Sequence, residues 1–433
     1  MPVVHASSIS SSMHFTRLAD WLAWQETLHP SVIDLGLDRV RRVLDALNWQ
    51  QPAFTVITVS GTNGKGSTVA FLDSILRAAG YRTGVFTSPH LVRYNERVRV
   101  DGSEVSDAAL CSAFEQIEQA RGAQSLTFFE FNTLAALLVF RDAKPDVVVL
   151  EVGMGGRLDA TNVIDADVSI VTSVALDHCD WLGADVESIA REKAGIFRRG
   201  RPAIFGDPHM PASIASIAQV EQVPLWEFGR HFGYERTPTD WSWWSASLHY
   251  EKLPYPALPG ASQFANACTA LAALTRLAAR LPITQAHIGA GLQAVRLPGR
   301  FQIRAGDPLW IFDVAHNPAA AQVLAQNLQS RPVPGRTIGI CGILADKDIS
   351  GIATQLLPAI DVWIAAGLEG ARALAPEQLA QQLRVAGAVV QGEARDVVTA
   401  CESALREARP GDRVVAFGSF LTVGAALQWA RLM

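Results

Sequence analysis

The strand-like run Phe54–Ser60 (FTVITVS) leads directly into Gly61-Thr62-Asn63-Gly64-Lys65-Gly66-Ser67, and a helical pattern follows from Ser67 to Ala79 before Gly80. Tyr81–Thr87 then returns to extended character. Strand, Gly-rich turn, helix and strand make a β–loop–α–β unit, the signature of a parallel sheet with a crossover helix. Glycines in such a turn let backbone N–H groups approach phosphate oxygens. The helix start adds partial positive charge and Lys65 adds a full one. The spacing departs from the usual Gly-x4-Gly-Lys-[Ser/Thr] loop, because only two residues separate Gly61 from Gly64-Lys65 and Gly66 intervenes before Ser67. A tight turn with an incidental lysine is the plainer alternative, and placement between strand and helix favours phosphate binding over it.

Two further buried-strand runs are Asp146–Glu151 (DVVVLE) and Val168–Val174 (VSIVTSV). Ligand groups in open α/β sheets collect beyond the carboxyl ends of strands. Those ends carry the Gly-rich loop, Ser88 to His90, Glu151, and Asp177 with His178. Glu151 reads as a Mg²⁺ ligand or as a loop-fixing acid. Ser88 reads as a hydroxyl donor to a metal or as an ordinary turn serine before proline. A lone histidine such as His178 is more often structural, and imidazole is an unusual partner for Mg²⁺, which prefers oxygen.

Helical spacing covers Phe15–Leu28 and Leu37–Leu47, with a loop at His29–Gly36 between them. From Gly206 to Pro259 Trp, Tyr and Pro become frequent, which suggests short antiparallel strands. Ala265–Leu281 is helical again, and Pro298 and Gly299 break the pattern in Val295–Phe301. A second strand series starts at Leu309–Asp313 and continues through Thr337–Cys341, Val362–Ala365 and Arg413–Phe417. A chain of 433 residues is too long for one ordinary core, so two domains are expected. The expected boundary gives residues 1–297 as a P-loop mononucleotide-binding parallel-sheet domain. Residues 298–433 follow as a smaller Rossmann-like α/β domain.

A net charge of −5 argues against broad binding of nucleic acid. Apolar residues at 49% and charged residues at 18% argue against disorder over most of the length. The five cysteines are scattered without a Cys-x-x-Cys pair, which fits a reducing compartment. The apolar stretch Thr133–Phe140 is too short for a membrane span, and the Ser-rich start lacks a signal pattern. A cytoplasmic protein without membrane partners is expected.

The loop GTNGKGS, the run TSPHLVRYNERVRV (Thr87–Val100), LEVGMGGRLDATN (Leu150–Asn162), ALDHCDWLG (Ala175–Gly183) and REKAGIF (Arg191–Phe197) resemble the Mur-ligase superfamily. LPGRFQ (Leu297–Gln302), FDVAHNP (Phe312–Pro318), ADKDI (Ala345–Ile349) and FGSFLTVG (Phe417–Gly424) extend the resemblance, in order, over nearly the whole chain. HPSVIDLGLDRV (His29–Val40) and LTFFEFNTL (Leu126–Leu134) are similar to the bifunctional dihydrofolate synthase/folylpolyglutamate synthases within it. The resemblance implies an ATP-dependent amide ligase that activates a carboxylate as an acyl phosphate. It would add L-glutamate to dihydropteroate and to reduced folates. A folylpolyglutamate synthase alone, or a P-loop ATPase or kinase forming no amide, are the alternatives.

The same resemblance implies the site residues. Gly61, Thr62, Asn63, Gly64, Lys65, Gly66, Ser67, Asn266, Arg300 and Asp313 would bind ATP. Ser88, Glu151 and His178 would hold Mg²⁺, with two ions expected. Lys193 would be carbamoylated and, with Lys65, Arg300 and His316, catalytic. Ser31, Val32, Ile33, Asp34, Thr127, Phe128, Phe129, Glu130, Leu158, Asp159 and Ala160 would line a pterin site, aromatic faces sandwiching a flat ring. Core packing is the alternative for at least one of Phe128, Phe129 and Phe131, and helix capping the alternative for Asn317. Asn132, the Phe residues around Glu130, and Ser67 depart from the usual family pattern. Relatives of this type are usually monomeric, so a monomer is expected.

Overall fold

The computed structural model describes residues 15–370 and 372–433, so the Ser-rich segment 1–14 lies outside the described residues. Eight strands form the first sheet: β1 Thr55–Ser60, β2 Thr83–Phe86, β3 Val98–Val100, β4 Ser103–Glu104, β5 Val147–Glu151, β6 Val168–Val171, β7 Ala203–Phe205 and β8 Leu225–Glu227. Their order is β4-β3-β2-β5-β1-β6-β7-β8. Six of them, from β2 to β8 across the sheet, run parallel, and β3 and β4 form an antiparallel edge. β1 and β5 are buried along their whole length, as strands covered by helices on both faces must be.

The helix Lys65–Ala78 packs Val69, Phe71, Leu72, Ile75 and Leu76 on one face, together with the helix Ser262–Arg276. The helix Phe128–Ala143 covers the other face. The apolar stretch at Thr133–Phe140 is the buried heart of that helix. No helix among the described residues is long and apolar enough to cross a membrane. The chain leaves β1 toward β2 on one side and later crosses from β5 to β6 on the other. The carboxyl ends of β1, β5 and β6 therefore flank the switch point, where a crevice opens.

The segment after Gly206 holds the expected antiparallel strands, β9 Phe232–Arg236, β10 Trp241–Ser245 and β11 His249–Leu253. It also holds the helix Ala212–Val220 and the parallel strand β8, which the aromatic texture hid. Ile214 and Ala218, four residues apart on that helix, pack with Val171 and Phe205. The last sheet comprises β12 Gln302–Arg304, β13 Leu309–Asp313, β14 Thr337–Cys341, β15 Val362–Ala366, β16 Val390–Ala394 and β17 Arg413–Phe417. Its order is β12-β13-β17-β14-β15-β16, parallel throughout except for β12. A core lies on each of its faces. The result is the expected α/β class, with a P-loop sheet followed by a smaller Rossmann-like sheet.

Candidate active site

The helix after β1 starts at Lys65, two residues earlier than its apolar pattern suggests, with Gly64 as its N-cap at φ +90°. A Cβ on Gly64 would lie 2.5 Å from Asn266 Oδ1, and one on Gly61 (φ +147°) only 1.9 Å from Thr172 Oγ1. Both positions demand glycine. The loop is strapped to the segment after β6. Thr62 N–H donates to Ser173 O (2.8 Å) and Asn63 N–H to Ser173 Oγ (3.1 Å). The Thr62 hydroxyl donates to Ala175 O (3.1 Å) and accepts from its N–H (3.0 Å). Lys65 Nζ folds back onto Gly61 O (3.0 Å) and Thr62 O (3.2 Å). Burial lowers the Lys65 pKa, against the pull of Glu151 and Asp177.

A cavity of about 880 Å³ opens in front of this loop, lined also by Ser88, Glu151, His178, Lys193, Asn266, Arg300, Asp313 and His316. Glu151 ends β5 in register beside Val59 of β1. Its Oε2 accepts from Ser88 N–H at 3.2 Å. Burial pushes the Glu151 carboxyl up, and Lys65 and Arg300 oppose it. A Cβ on Gly66 would sit 3.5 Å from Arg300 Nη2 and 3.8 Å from Glu151 Oε1, so helix start, guanidinium and carboxylate nearly touch. Lys193, on the helix Val186–Ala194, is buried, which brings its pKa down to about 7, with Lys65 adding to the effect.

Asp177 is the hub of the far wall. Lys347 Nζ donates to its Oδ1 at 2.9 Å and Asn317 Nδ2 to its Oδ2 at 3.2 Å. The ring nitrogens of His178 and His316 lie 3.8 and 3.7 Å from its oxygens. Burial pushes the Asp177 carboxyl up, yet His178 and Lys347 outweigh it and hold it at about 2. Burial lowers His178 to about 4 and also lowers His316.

From the second sheet, Asp313 accepts from Phe301 N–H (2.8 Å) and Ala315 N–H (2.9 Å), fixing the segment that carries Arg300. Arg300 lies over the Phe420 ring at 5.1 Å. Asn317 does cap the helix Pro318–Gln329, accepting from Ala320 N–H at 2.9 Å. It also exchanges amide hydrogen bonds with Asn63 of the Gly-rich loop (3.1 and 3.2 Å).

The residues expected around a pterin do not line this cavity but flank it. Arg39 joins two of the segments, binding Asp34 Oδ2 (2.7 Å) and Glu130 Oε1 (3.0 Å). Glu130 also completes a capping box with Thr127, so its carboxylate is engaged on both sides. Ser31 and Val32 are exposed, Ile33 and Asp34 half-buried. Phe131 is core, while Phe128 and Phe129 are half-buried at the edge of it. The Phe129 ring packs against Gly153, where a Cβ would meet it at 2.6 Å. Asp159 fixes the turn of half-buried Leu158 and buried Ala160, accepting from Met154 N–H (2.9 Å) and Thr161 N–H (3.0 Å).

The Mur ligase middle domain matches residues 59–274, and the glutamate ligase domain of Mur ligases matches residues 299–420. The dihydrofolate synthase/folylpolyglutamate synthase of Escherichia coli (strain K12) is 49% identical over 412 residues, 95% of either chain. The structure of E. coli FolC in complex with DHPP and ADP gives a TM-score of 0.92 at 48% identity, over 97% of this chain and 99% of that one. The chain belongs to the dihydrofolate synthase/folylpolyglutamate synthase family of Mur ligases. A bifunctional folylpolyglutamate synthase/dihydrofolate synthase with Mn, AMPPNP and L-glutamate bound gives 0.89 at 46% identity, over 97% and 99% of the two chains.

Sequence reasoning passed over Lys347 and Arg97 in this family member, although both lie in motifs that carry the resemblance. Lys347 sits in ADKDI between Asp346 and Asp348. Its partner Asp177 is 170 residues away in the chain.

Proposed function

We propose that the chain is an ATP-dependent ligase that joins L-glutamate by an amide bond to dihydropteroate, giving dihydrofolate, and to reduced folates, giving folylpolyglutamates. The observation that carries this reading is one cavity shared by a phosphate loop, an acidic strand end and cationic groups from both sheets. The glutamate ligase domain match over residues 299–420 weighs against an ATPase or kinase that forms no amide.

ATP lies with its phosphates along Gly61–Ser67, with Asn266, Arg300 and Asp313 completing its site. Among the described residues no three His, Cys, Asp or Glu side chains cluster to cage a metal. Mg²⁺ bridging phosphates keeps several waters and needs few protein donors, so the Ser88 hydroxyl and Glu151 carboxylate on one wall fit it. There it would neutralise triphosphate charge. His178 and Lys193 would hold a second ion. With its pKa near 7, the Lys193 amine is partly neutral and can add CO₂, losing a proton to become a carbamate anion.

The acceptor carboxylate attacks the γ-phosphorus in line, forming an acyl phosphate and ADP. Lys65 and Arg300 stabilise charge on the transferring oxygens. Glutamate enters as an ammonium, and buried, neutral His316 accepts its proton. The free amine attacks the acyl carbon and phosphate leaves. Closing the two halves about residues 295–301 keeps water from the acyl phosphate. We place the domain boundary at 297/298, and the protein in the cytoplasm as a monomer. All five cysteines are unpaired, which suits a reducing compartment.

Mass spectrometry of products formed from ATP, Mg²⁺, L-glutamate and either dihydropteroate or tetrahydrofolate tests the reading. Each acceptor is expected to gain glutamate with matching ADP release. Product from tetrahydrofolate alone would leave a folylpolyglutamate synthase, and ADP without amide would leave an ATPase.

A further inference from the structure

The run Thr87–Val100 contributes more to the cavity than Ser88. Arg97 closes the short helical turn Tyr94–Arg97 that leads into β3, and it is only 8% exposed. Its Nε donates to His90 Nδ1 at 2.8 Å, which fixes the plane of the guanidinium. The guanidinium carbon lies 5.8 Å from the centroid of the Tyr94 ring and 5.6 Å from that of the Phe128 ring. Among the described residues no carboxylate lies within ion-pair distance of it. Its sequence neighbour Glu96 has both oxygens engaged by the N–H groups of Leu91, Val92 and Arg93. Arg97 and His90 nevertheless line the 880 Å³ cavity beside Ser88, Glu151 and Lys65.

A buried guanidinium without an anion is costly, and its planar fork matches a carboxylate in two parallel hydrogen bonds. Its place decides which anion. Phe128, from the flank that suits a flat ring, lies 5.6 Å from the guanidinium. Ser88 and Glu151 line the same cavity, and the ligase reading puts the nucleotide's terminal phosphate beside them. An acceptor carboxylate reaching that phosphate meets the charge of the phosphate and of Glu151 together. Lys65 and Arg300 serve the nucleotide side of that meeting, and a cation is needed on the acceptor side. We infer that Arg97 binds the carboxylate of an aromatic acid acceptor and aims it at the transferring phosphate, with His90 as the positioning residue that holds the guanidinium. This rests on the ligase reading above.

The test compares dihydropteroate with its carboxamide, in which –COO⁻ becomes –CONH₂. Binding to the full chain is followed by pterin fluorescence. Wild type is expected to prefer the acid by about tenfold or more, the worth of hydrogen bonds to a charged group. Arg97→Gln is expected to bind acid and amide alike, with ATP affinity unchanged. A purely structural role for Arg97 would weaken both ligands and leave the preference. Arg97→Gln that still prefers the acid as wild type does would overturn the inference while sparing the ligase reading. Wild type that binds neither ligand and forms no amide would overturn both. Should Arg97→Gln fail to fold, a crystal of wild type with dihydropteroate decides. Carboxylate oxygens about 3 Å from the Arg97 terminal nitrogens support the inference, and a carboxylate resting on Lys193 or Arg300 instead refutes it.

Discussion

Lys65 is held by loop carbonyls rather than by a carboxylate, so its charge stays available to a ligand. Lys65→Ala is expected to cut turnover by about 100-fold or more, as loss of a charge-stabilising donor does, while circular dichroism stays native. Glu151→Gln is expected to raise the Mg²⁺ requirement of ATP use more than it weakens pterin binding, read from separate titrations. Asp177 allows a pH test. Its folded carboxyl lies at about 2 against an ordinary 3.8. A lowered acid contributes stability above the unfolded value and loses it as pH falls through the folded one, here between roughly 4 and 2. Asp177→Asn should therefore destabilise the fold at neutral pH, chiefly through loss of the Lys347 pair, and the gap to wild type in thermal denaturation should narrow over that window. Lys65, Glu151 and His178 line one cavity, and the sequence sets each in a loop beyond, or at the end of, a buried strand run. Lys347 was not legible, since its meaning depends on Asp177 across the fold. The Glu130 carboxylate is engaged by its helix cap and also by Arg39, a partner 91 residues away that the local sequence does not disclose.

At the scale of elements, β13, β14 and β17 coincide with their sequence ranges because short apolar runs between polar turns have one reading. The helix Phe128–Ala143 was not read as one, because it is apolar on nearly every side and shows no 3.6-residue period. Its start is better marked: Thr127 and Glu130 close a capping box. Thr127→Ala is expected to destabilise by about 1 kcal/mol, seen as a lower melting temperature. Gly64→Ala adds about 1–2 kcal/mol of left-handed backbone strain, and its Cβ would collide with Asn266. It should lose nucleotide affinity in an ATP-binding assay, out of proportion to its change in stability.

Across the whole molecule, two parallel sheets present their carboxyl ends to one cavity, and Asn63–Asn317 and Asp177–Lys347 stitch the two sides together. Lys347→Ala should lower turnover while ATP still binds, and solution scattering with ATP should show a larger radius than wild type. The order of motifs along the chain carried the fold class and the family. How the second sheet reaches the loop was hidden, because those contacts join residues 254 and 170 positions apart. The central chemical claim is that an acceptor oxygen, rather than water, receives the γ-phosphoryl group. Dihydropteroate labelled with ¹⁸O in its carboxylate tests it most directly. One labelled oxygen in the released phosphate for each amide formed is the expected result, and phosphate free of label alongside amide product would contradict it.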